Sequence, residues 1–393
     1  MIEYTSLIYN NNISKSYYWK FLIIIGSYYL MPSLQFLLFQ SQNSELCYYN
    51  HKCLHSYGII RSFNNFISNI FYIIYGLIFI IQVKLKTEIM NDLTESEDIK
   101  SLYYCLGITL ILEGISSGIY HICPSRLNFQ FDTTFMIIGL LMAFLTLYNK
   151  RNHIHILNPF KFYLLVFFIL ILNVLSLNNN GNAIQLWFWG ILFIFMTYIM
   201  LFGSIYIYFG NLYELNISNF RSLIKYIKSE EKDTRRLTLI VLLNSFNVGS
   251  CLYAALALPN FTGWILMVTS INLFIYFTYY IIIKICNGER ILLVVGIGIV
   301  VDIIVLSIAL YYFVQYPTNI FLTQKESSMH NKDCILFGFF DNHDIWHILS
   351  SAGLYMFMNI LLYIDYDLEN PEKIDLSKPK TKGNTNSNTF NDF

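Results

Sequence analysis

The chain has 393 residues, of which 55% are apolar, 18% aromatic and only 13% charged. A soluble protein of this length could not bury that much apolar surface, so water-soluble classes are excluded. Twenty-five Lys and Arg offset 25 Asp and Glu, which leaves no global field to recruit nucleic acid or anionic lipid; any electrostatic role rests on local placement.

Apolar runs of about 18 to 25 residues recur between short polar loops, the length a helix needs to cross about 30 Å of hydrocarbon. They predict an all-α, polytopic membrane bundle of about ten transmembrane helices, near residues 18–39, 62–83, 102–122, 131–148, 158–177, 184–211, 237–258, 263–285, 291–315 and 344–364. The first run is long, starts late, is preceded by Lys15 and Lys20, and is not followed by a small-residue cleavage site. It is expected to stay as an anchor with the amino terminus inside. Residues 1–17 then form a cytoplasmic segment and residues 18–366 the transmembrane core. The tail, residues 367–393, is polar, Asn-rich and without apolar periodicity, and is expected to be disordered.

This orientation puts Lys15, Lys20, Lys84, Lys86, Lys100, Lys150, Arg151, Lys161, Lys284, Arg290 and the basic stretch from Arg221 to Arg236 inside. Only Lys52, Arg61, Arg126, Lys325 and Lys332 fall outside. That bias supports cytoplasmic placement of both termini and opposes the inverted topology. The basic inside loop between residues 217 and 236 reads either as a plain positive flank or as a short amphipathic helix on anionic lipid. Of seven cysteines, Cys47, Cys53, Cys123 and Cys334 fall in or beside outside loops, the oxidising face, whereas Cys105, Cys251 and Cys286 do not. Four outside thiols suggest two bridges, with three pairings open.

Ionisable groups inside spans are costly, so they are the first place to look for function. The third span ends in Glu113, Ser117 and His121, the fourth begins with Asp132, and the tenth begins with His343 and His347. All three clusters sit at the outside ends of their helices. His343 and His347 are four residues apart and share a helical face, as do Ser117 and His121. Three imidazoles from two helices would hold a tetrahedral Zn2+ with an open fourth position for water. Asp132 would take the water proton, or ligate the metal, and Ser117 would orient the water or donate to a developing oxyanion. Glu113, one turn deeper, would brace the ligands from behind. The competing reading is a hydrogen-bonded packing cluster without metal. On the second span Asn65, Ser68, Asn69 and Tyr72 share one face; they would brace the metal helices or serve as interhelical glue alone. His51, His55, His153, His155 and His330 lie in loops and carry no assigned role.

Cys47 to Cys53, the segment FNNFISN from Phe63, the block EGISSGIYHICPSRLNFQFDTTFM from Glu113, and DCILFGFFDNHDIWHILSSA from Asp333 together resemble the transmembrane core of the systemic-RNAi-defective (SID) family. The resemblance runs from Tyr17 to Leu368. It implies a double-stranded-RNA channel or cholesterol-uptake type of protein within the wider CREST superfamily, which also holds alkaline ceramidases and adiponectin-type receptors. It implies zinc ligation by His121, His343 and His347, with Asp132 and Ser117 at the bound water, and bridges among Cys47, Cys53, Cys123 and Cys334. Family members carry a long amino-terminal β-sandwich ectodomain, an extra first helix and a large inside loop ahead of this core; the resemblance covers the core alone. Expected partners are membrane lipids, cholesterol or sphingolipid among them, double-stranded RNA, and a second copy of the chain. Three functions follow: transport of nucleic acid or sterol with zinc as a staple, zinc-dependent hydrolysis of a lipid amide or ester, and ligand sensing as in the adiponectin-type receptors. The expected residence is an integral, multi-pass position in the plasma membrane or in a lysosomal or other endomembrane.

Overall fold

The computed structural model describes residues 18–40, 47–89, 97–126, 128–151, 159–177, 182–209, 234–257 and 260–366. The amino-terminal segment 1–17, the tail 367–393 and most of the basic loop 217–236 lie outside the described residues. Among the described residues the structure is helical, and its only extended pairings are the isolated bridges Tyr57 to Ile60 and Leu336 to Phe340.

The helices are α1 (Tyr18–Gln40), α2 (Phe63–Ser68), α3 (Ile70–Ile89), α4 (Glu97–Ile122), α5 (Phe129–Asn149), α6 (Pro159–Leu177), α7 (Asn182–Phe209), α8 (Thr234–Ala257), α9 (Phe261–Cys286), α10 (Leu293–Val314), α11 (Gln324–Met329) and α12 (Asn342–Tyr363). Seven stretches are long and apolar enough to cross a membrane: Phe63–Thr87, Ile99–Ile122, Phe129–Asn149, Thr234–Ala257, Phe261–Cys286, Leu293–Val314 and Asn342–Tyr363. Helices also occupy the other three expected ranges. α6 and α7 hold shorter apolar stretches, Pro159–Asn173 and Trp187–Leu201, and α1 contains Pro32.

The second span runs on to Ile89, six residues past its expected end at 83, and two further boundaries differ from the sequence expectation. The second span is broken at Asn69 into α2 and α3, because the Asn69 side chain donates to the Asn65 carbonyl at 2.8 Å and its own N–H turns to the Phe66 carbonyl at 3.3 Å. Short amide side chains compete with the helical ladder in this way. The third span begins five residues earlier than expected, at Glu97, in a polar first turn that hydropathy does not register.

α4 and α5 form the centre: 67% and 72% of their spanning windows are buried, against 17% for α10, which is peripheral. α4 packs on α1, α3 and α5, while α12 packs on α3 and α10, and α9 on α5. The α3 to α4 contact is close because small residues face each other: a Cβ on Gly76 would lie 2.7 Å from the Gly107 carbonyl oxygen. With lipid as apolar as Leu, such backbone proximity is what favours association of spans.

The two ends of the bundle are closed by different chemistry. At one end disulfides join Cys47 to Cys123 and Cys53 to Cys334. Asn50 adds bonds to the Lys332 carbonyl at 2.8 Å and to Asp341 Oδ2 at 2.9 Å. The opposite end is held by ions. Asp365, just after α12, lies 3.6 Å from Lys150 and 3.4 Å from Lys284 and also accepts from the Tyr280 hydroxyl, while Arg151 grips Glu289 in a fork at 2.7 and 2.5 Å. In the loop between α9 and α10, the Arg151 guanidinium holds the Glu289 carboxyl down at about 2, from 4.5. A depressed carboxyl contributes stability above its unfolded value that is lost as pH falls through the folded one. The thermal advantage of the wild type over Glu289→Gln should therefore be full at neutral pH, shrink below about pH 4.5 and vanish near pH 2. A pH-independent difference in melting temperature would overturn this account.

Candidate metal centre

α12 starts where it does because Asp341 caps it. Its carboxylate accepts from the His343 and Asp344 N–H groups at 2.8 and 3.0 Å, and Asp344 Oδ2 accepts in return from the Asp341 N–H at 3.0 Å. This reciprocal box satisfies donors that the first turn leaves orphaned. It also fixes the rotation of α12, so that His343 and His347 look toward α4. From that side comes His121, in the last turn of α4.

The three Nε2 atoms form a near-equilateral triangle: 3.2 Å from His121 to His343, 3.0 Å from His121 to His347 and 3.0 Å from His343 to His347. All three side chains are buried. Three nitrogens aimed at one point cannot satisfy one another, since each N–H or lone pair is directed at the centre rather than along an edge. A cation at that centre resolves the conflict. Tetrahedral ligands about 2.0 to 2.1 Å from Zn2+ stand about 3.3 to 3.4 Å apart, a few tenths of an ångström wider than the triangle here, and a set of three imidazoles suits zinc with one position left open. The residues present therefore fit the ion that the sequence implies.

Asp132, in the first turn of α5, brings Oδ1 to 3.5 Å from His121 Nε2. Ser117 Oγ donates to that same oxygen at 2.5 Å, and the adjacent Ser116 donates to the Phe131 carbonyl, which fastens α4 to the start of α5. Ser117, His121 and Asp132 thus meet the two α12 histidines at one depth.

Glu113 lies on the same face of α4, but its Oε2 has no partner among the described residues, and the side chain lines a cavity instead of touching the ligands. Of the α2 and α3 residues, Tyr72 reaches furthest: its hydroxyl shares a hydrogen bond of 2.6 Å with Ser350, and its ring stands edge-on to His347 at 5.9 Å. Asn65 accepts from Ser62 at 2.5 Å and from Asn64 at 3.1 Å, and Ser68 and Asn69 both donate to the Asn65 carbonyl. Asn65 and Asn69 act mainly within their own turn, whereas Ser68 also hydrogen-bonds the Asp344 carboxyl on α12. Asn64 joins it there, donating to Asp344 Oδ2 at 2.9 Å. Asn64, Asp341 and Asp344 carry no role in the sequence expectation, although an Asp two places before His343 with a second Asp three residues on is itself a capping signature.

One space touches the triad and a second lies about a turn deeper. Toward the disulfide-bonded end is a narrow polar cleft lined by Tyr48, Asn50, Asn65, His121, Tyr316 and His343, among others. The Tyr316 ring sits edge-on to His343 at 4.3 Å. In its loop, burial first and the Asp132 charge second push the Tyr316 hydroxyl up, so it remains an O–H donor throughout the neutral range. Deeper in the bundle is an apolar cavity of about 540 Å³ between α4, α5, α9, α10 and α12, reached by Glu113, Trp346 and Ser350 and flanked by the exposed Leu310 and Val314. A second grouping, Cys53, His55 and Cys334, has metal-ligand proximity, but its two sulfurs are joined to each other.

The family model described as dsRNA-gated channel SID-1 matches residues 4–377. The human protein named SID1 transmembrane family member 1 is 31% identical over 379 residues, covering 90% of this chain and 46% of its own length. Its mouse counterpart is 30% identical over 379 residues with the same coverage. The Caenorhabditis elegans protein named Cholesterol uptake protein 1 is 28% identical over 372 residues, covering 88% of this chain and 49% of its own length. The chain thus spans about half the length of the curated relatives it matches.

Proposed function

The chain belongs to the SID-1 family of dsRNA-gated channels, and from that premise we propose that this multi-pass membrane protein is a zinc-dependent hydrolase of lipid amides or esters, of ceramidase or phospholipase type. The observation that carries the reading is the convergence of His121, His343 and His347 beside the Ser117 and Asp132 pair, with a polar cleft touching His121 and His343 and an apolar cavity of about 540 Å³ about a turn deeper, at Glu113, Trp346 and Ser350. Such a cavity suits acyl chains, and the cleft admits water from the side that carries the disulfides. All ten long apolar helices cross the bilayer in this proposal. The disulfides then face the oxidising side and both termini the cytoplasm, in keeping with the distribution of Lys and Arg.

Each side chain has a role in that chemistry. Bound zinc would lower the pKa of a water and polarise the scissile carbonyl. Asp132 accepts the proton from water and later returns it to the leaving amine or alcohol. Ser117 holds the Asp132 carboxylate in one rotamer and keeps it hydrogen-bonded. The buried Tyr316 hydroxyl is a donor in the cleft. α4 and α12 carry the three imidazoles on helices already fixed by the cap at Asp341 and by the Ser116 contact, so their geometry costs little reorganisation.

A second reading rests on the relatives, whose names describe a double-stranded-RNA channel and a cholesterol uptake protein. In it the same zinc fastens α4 to α12 while RNA or sterol is the cargo, and hydrolysis plays no part. The deciding experiment is metal analysis of the purified protein by mass spectrometry, paired with release of fatty acid from ceramide and phospholipid before and after chelation. About one zinc per chain and chelator-sensitive release support the hydrolase. Zinc with no release leaves the staple, and well-folded protein without metal sinks both versions of the site.

A further inference from the structure

At the disulfide-bonded end, two tight turns project from the bundle. In the first, Tyr57 and Ile60 exchange backbone bonds at 2.9 and 3.1 Å around Gly58, whose φ is 60°. In the second, the Phe339 N–H returns to the Leu336 carbonyl at 3.0 Å, and both central residues are left-handed, Phe337 at φ 56° and Gly338 at φ 63°. Two positive φ values in succession mark a type I′ turn, which favours Asn-Gly or Gly-Gly. Phe337 is the one non-glycine residue with positive φ among the described residues. A bulky side chain in that region is unfavourable unless something outside the turn holds it there. Packing within the chain does not: Phe337 is 87% exposed, and Ile59, at the tip of the first turn, is 98% exposed.

The two turns form one pad. The Cys53 to Cys334 disulfide joins their bases, and His55 stacks on Phe339 with ring centroids 4.9 Å apart. The Phe63 N–H donates to the His55 carbonyl at 2.8 Å, which sets the first turn directly at the start of the Phe63–Thr87 span. Phe337 lies five residues before the Asn342–Tyr363 span. Residues 54–60 and 335–340 contain no Asp, Glu, Lys or Arg. From Tyr57 the apolar surface continues down the first of these spans. Its ring meets Phe63 at 5.1 Å and Phe63 meets Phe66 at 6.4 Å, and Ile70, Ile74 and Leu77 follow at helical spacing, all three exposed.

We propose that this pad is a lipid-docking surface, with Ile59 and Phe337 seated in the leaflet at the disulfide-bonded end, at the boundary of headgroups and acyl chains. Apolar side chains on an uncharged element bury to that depth, a few ångströms below the phosphates. The unbroken row from Tyr57 to Leu77 favours lipid over a protein partner, because it leads from the pad onto a surface that the bilayer already covers. The second turn leads within four residues to Asp341, whose cap sets the rotation of α12. Docking therefore braces the end of α12 that carries His343. The pad does not depend on whether the histidines hold zinc.

The test uses the full chain in phosphatidylcholine vesicles, with the photoreactive residue p-benzoylphenylalanine placed singly for Ile59, Phe337, Ile304 or Met329. Ile304, exposed within the α10 span, is the lipid-facing reference, and Met329, exposed at the end of the polar helix α11, is the aqueous one. After irradiation, adducts are identified by peptide mass spectrometry. Phospholipid adducts at Ile59 and at Phe337 are both expected to exceed those at Met329 by at least about tenfold, as the preference of an aromatic side chain for an apolar phase requires. They should approach the yield at Ile304. The proposal is overturned if either turn gives no more lipid adduct than Met329. It is equally overturned if the adducts are with protein, whether another part of the chain or a second copy seen as a crosslinked dimer. Ile59 touches almost nothing in the folded chain, so the probe there leaves the fold intact, and an unchanged melting temperature confirms this.

Discussion

Replacing His343 and His347 together with alanine is expected to strip the purified protein of zinc, from about one ion per chain to background, and to lower its melting temperature by several degrees. The size follows from linkage. An ion that binds the folded state alone stabilises it by RT ln(1 + [L]/Kd), about 4 kcal/mol when zinc is present at a thousand times its dissociation constant. Two of three imidazoles come from α12, so the double variant leaves a single nitrogen, His121 Nε2, at the centre. A further consequence separates a metal site from a packing cluster. Without a cation the three nitrogens, 3.0 to 3.2 Å apart, repel through their lone pairs or leave protons without acceptors. Chelated wild type should therefore melt close to the double variant, or below it. If the histidines were hydrogen-bonded packing, the reverse would hold: chelation would change nothing, and removal of two buried side chains would cost about 2 to 5 kcal/mol on its own. Differential scanning fluorimetry of the wild type with and without chelator, beside the variant, distinguishes these outcomes.

What sequence could say about this molecule divides along physical lines. Span length and apolarity are one-dimensional properties, so the runs near 131–148 and 263–285 translate into α5 and α9 within a few residues. The convergence of His121, Asp132, His343 and His347 was legible because each sits at the same end of its helix, and topology alone then brings the ends to one depth. Disulfide pairing was not, since four loop thiols admit three pairings and the choice depends on how residues 47–62 lie across residues 315–341, which no local pattern encodes. Nor was the break at Asn69, where a side-chain bond to the Asn65 carbonyl overrides an otherwise continuous apolar run. The interior of the opposite end was hidden for another reason. Lys150, Arg151 and Lys284 read as positive flanks of the spans, and only the packed structure turns them inward onto Asp365 and Glu289. Glu113 shows the limit of helical spacing as an argument: eight residues before His121 puts it on the right face, but two turns of rise carry it down to the apolar cavity and away from the ligands.

Asp132→Asn separates holding the metal from using it. The substitution keeps the shape of the side chain and leaves an oxygen able to accept from Ser117 Oγ, now 2.5 Å from Asp132 Oδ1. It also leaves the three imidazoles untouched. Zinc content is therefore expected to stay near the wild-type value, and the melting temperature with it. Lipid turnover should fall by about 10² to 10⁴-fold, the range that a positioned proton acceptor contributes. Ser117→Ala should cost less, because it frees the carboxylate to rotate without removing it. In the Asp132→Asn background it should cost almost nothing more, since two residues that act through one proton transfer are not additive. Should Asp132→Asn lose zinc along with activity, Asp132 is a ligand and the general-base assignment fails. Should it keep zinc and full turnover, the proton goes elsewhere, and the nearest alternative acceptor on this face of α4 is Glu113, whose unpartnered Oε2 already faces the cavity. Glu113→Gln measured beside Asp132→Asn decides between them: the base is whichever carboxylate, once made an amide, abolishes fatty-acid release from protein that still carries its metal.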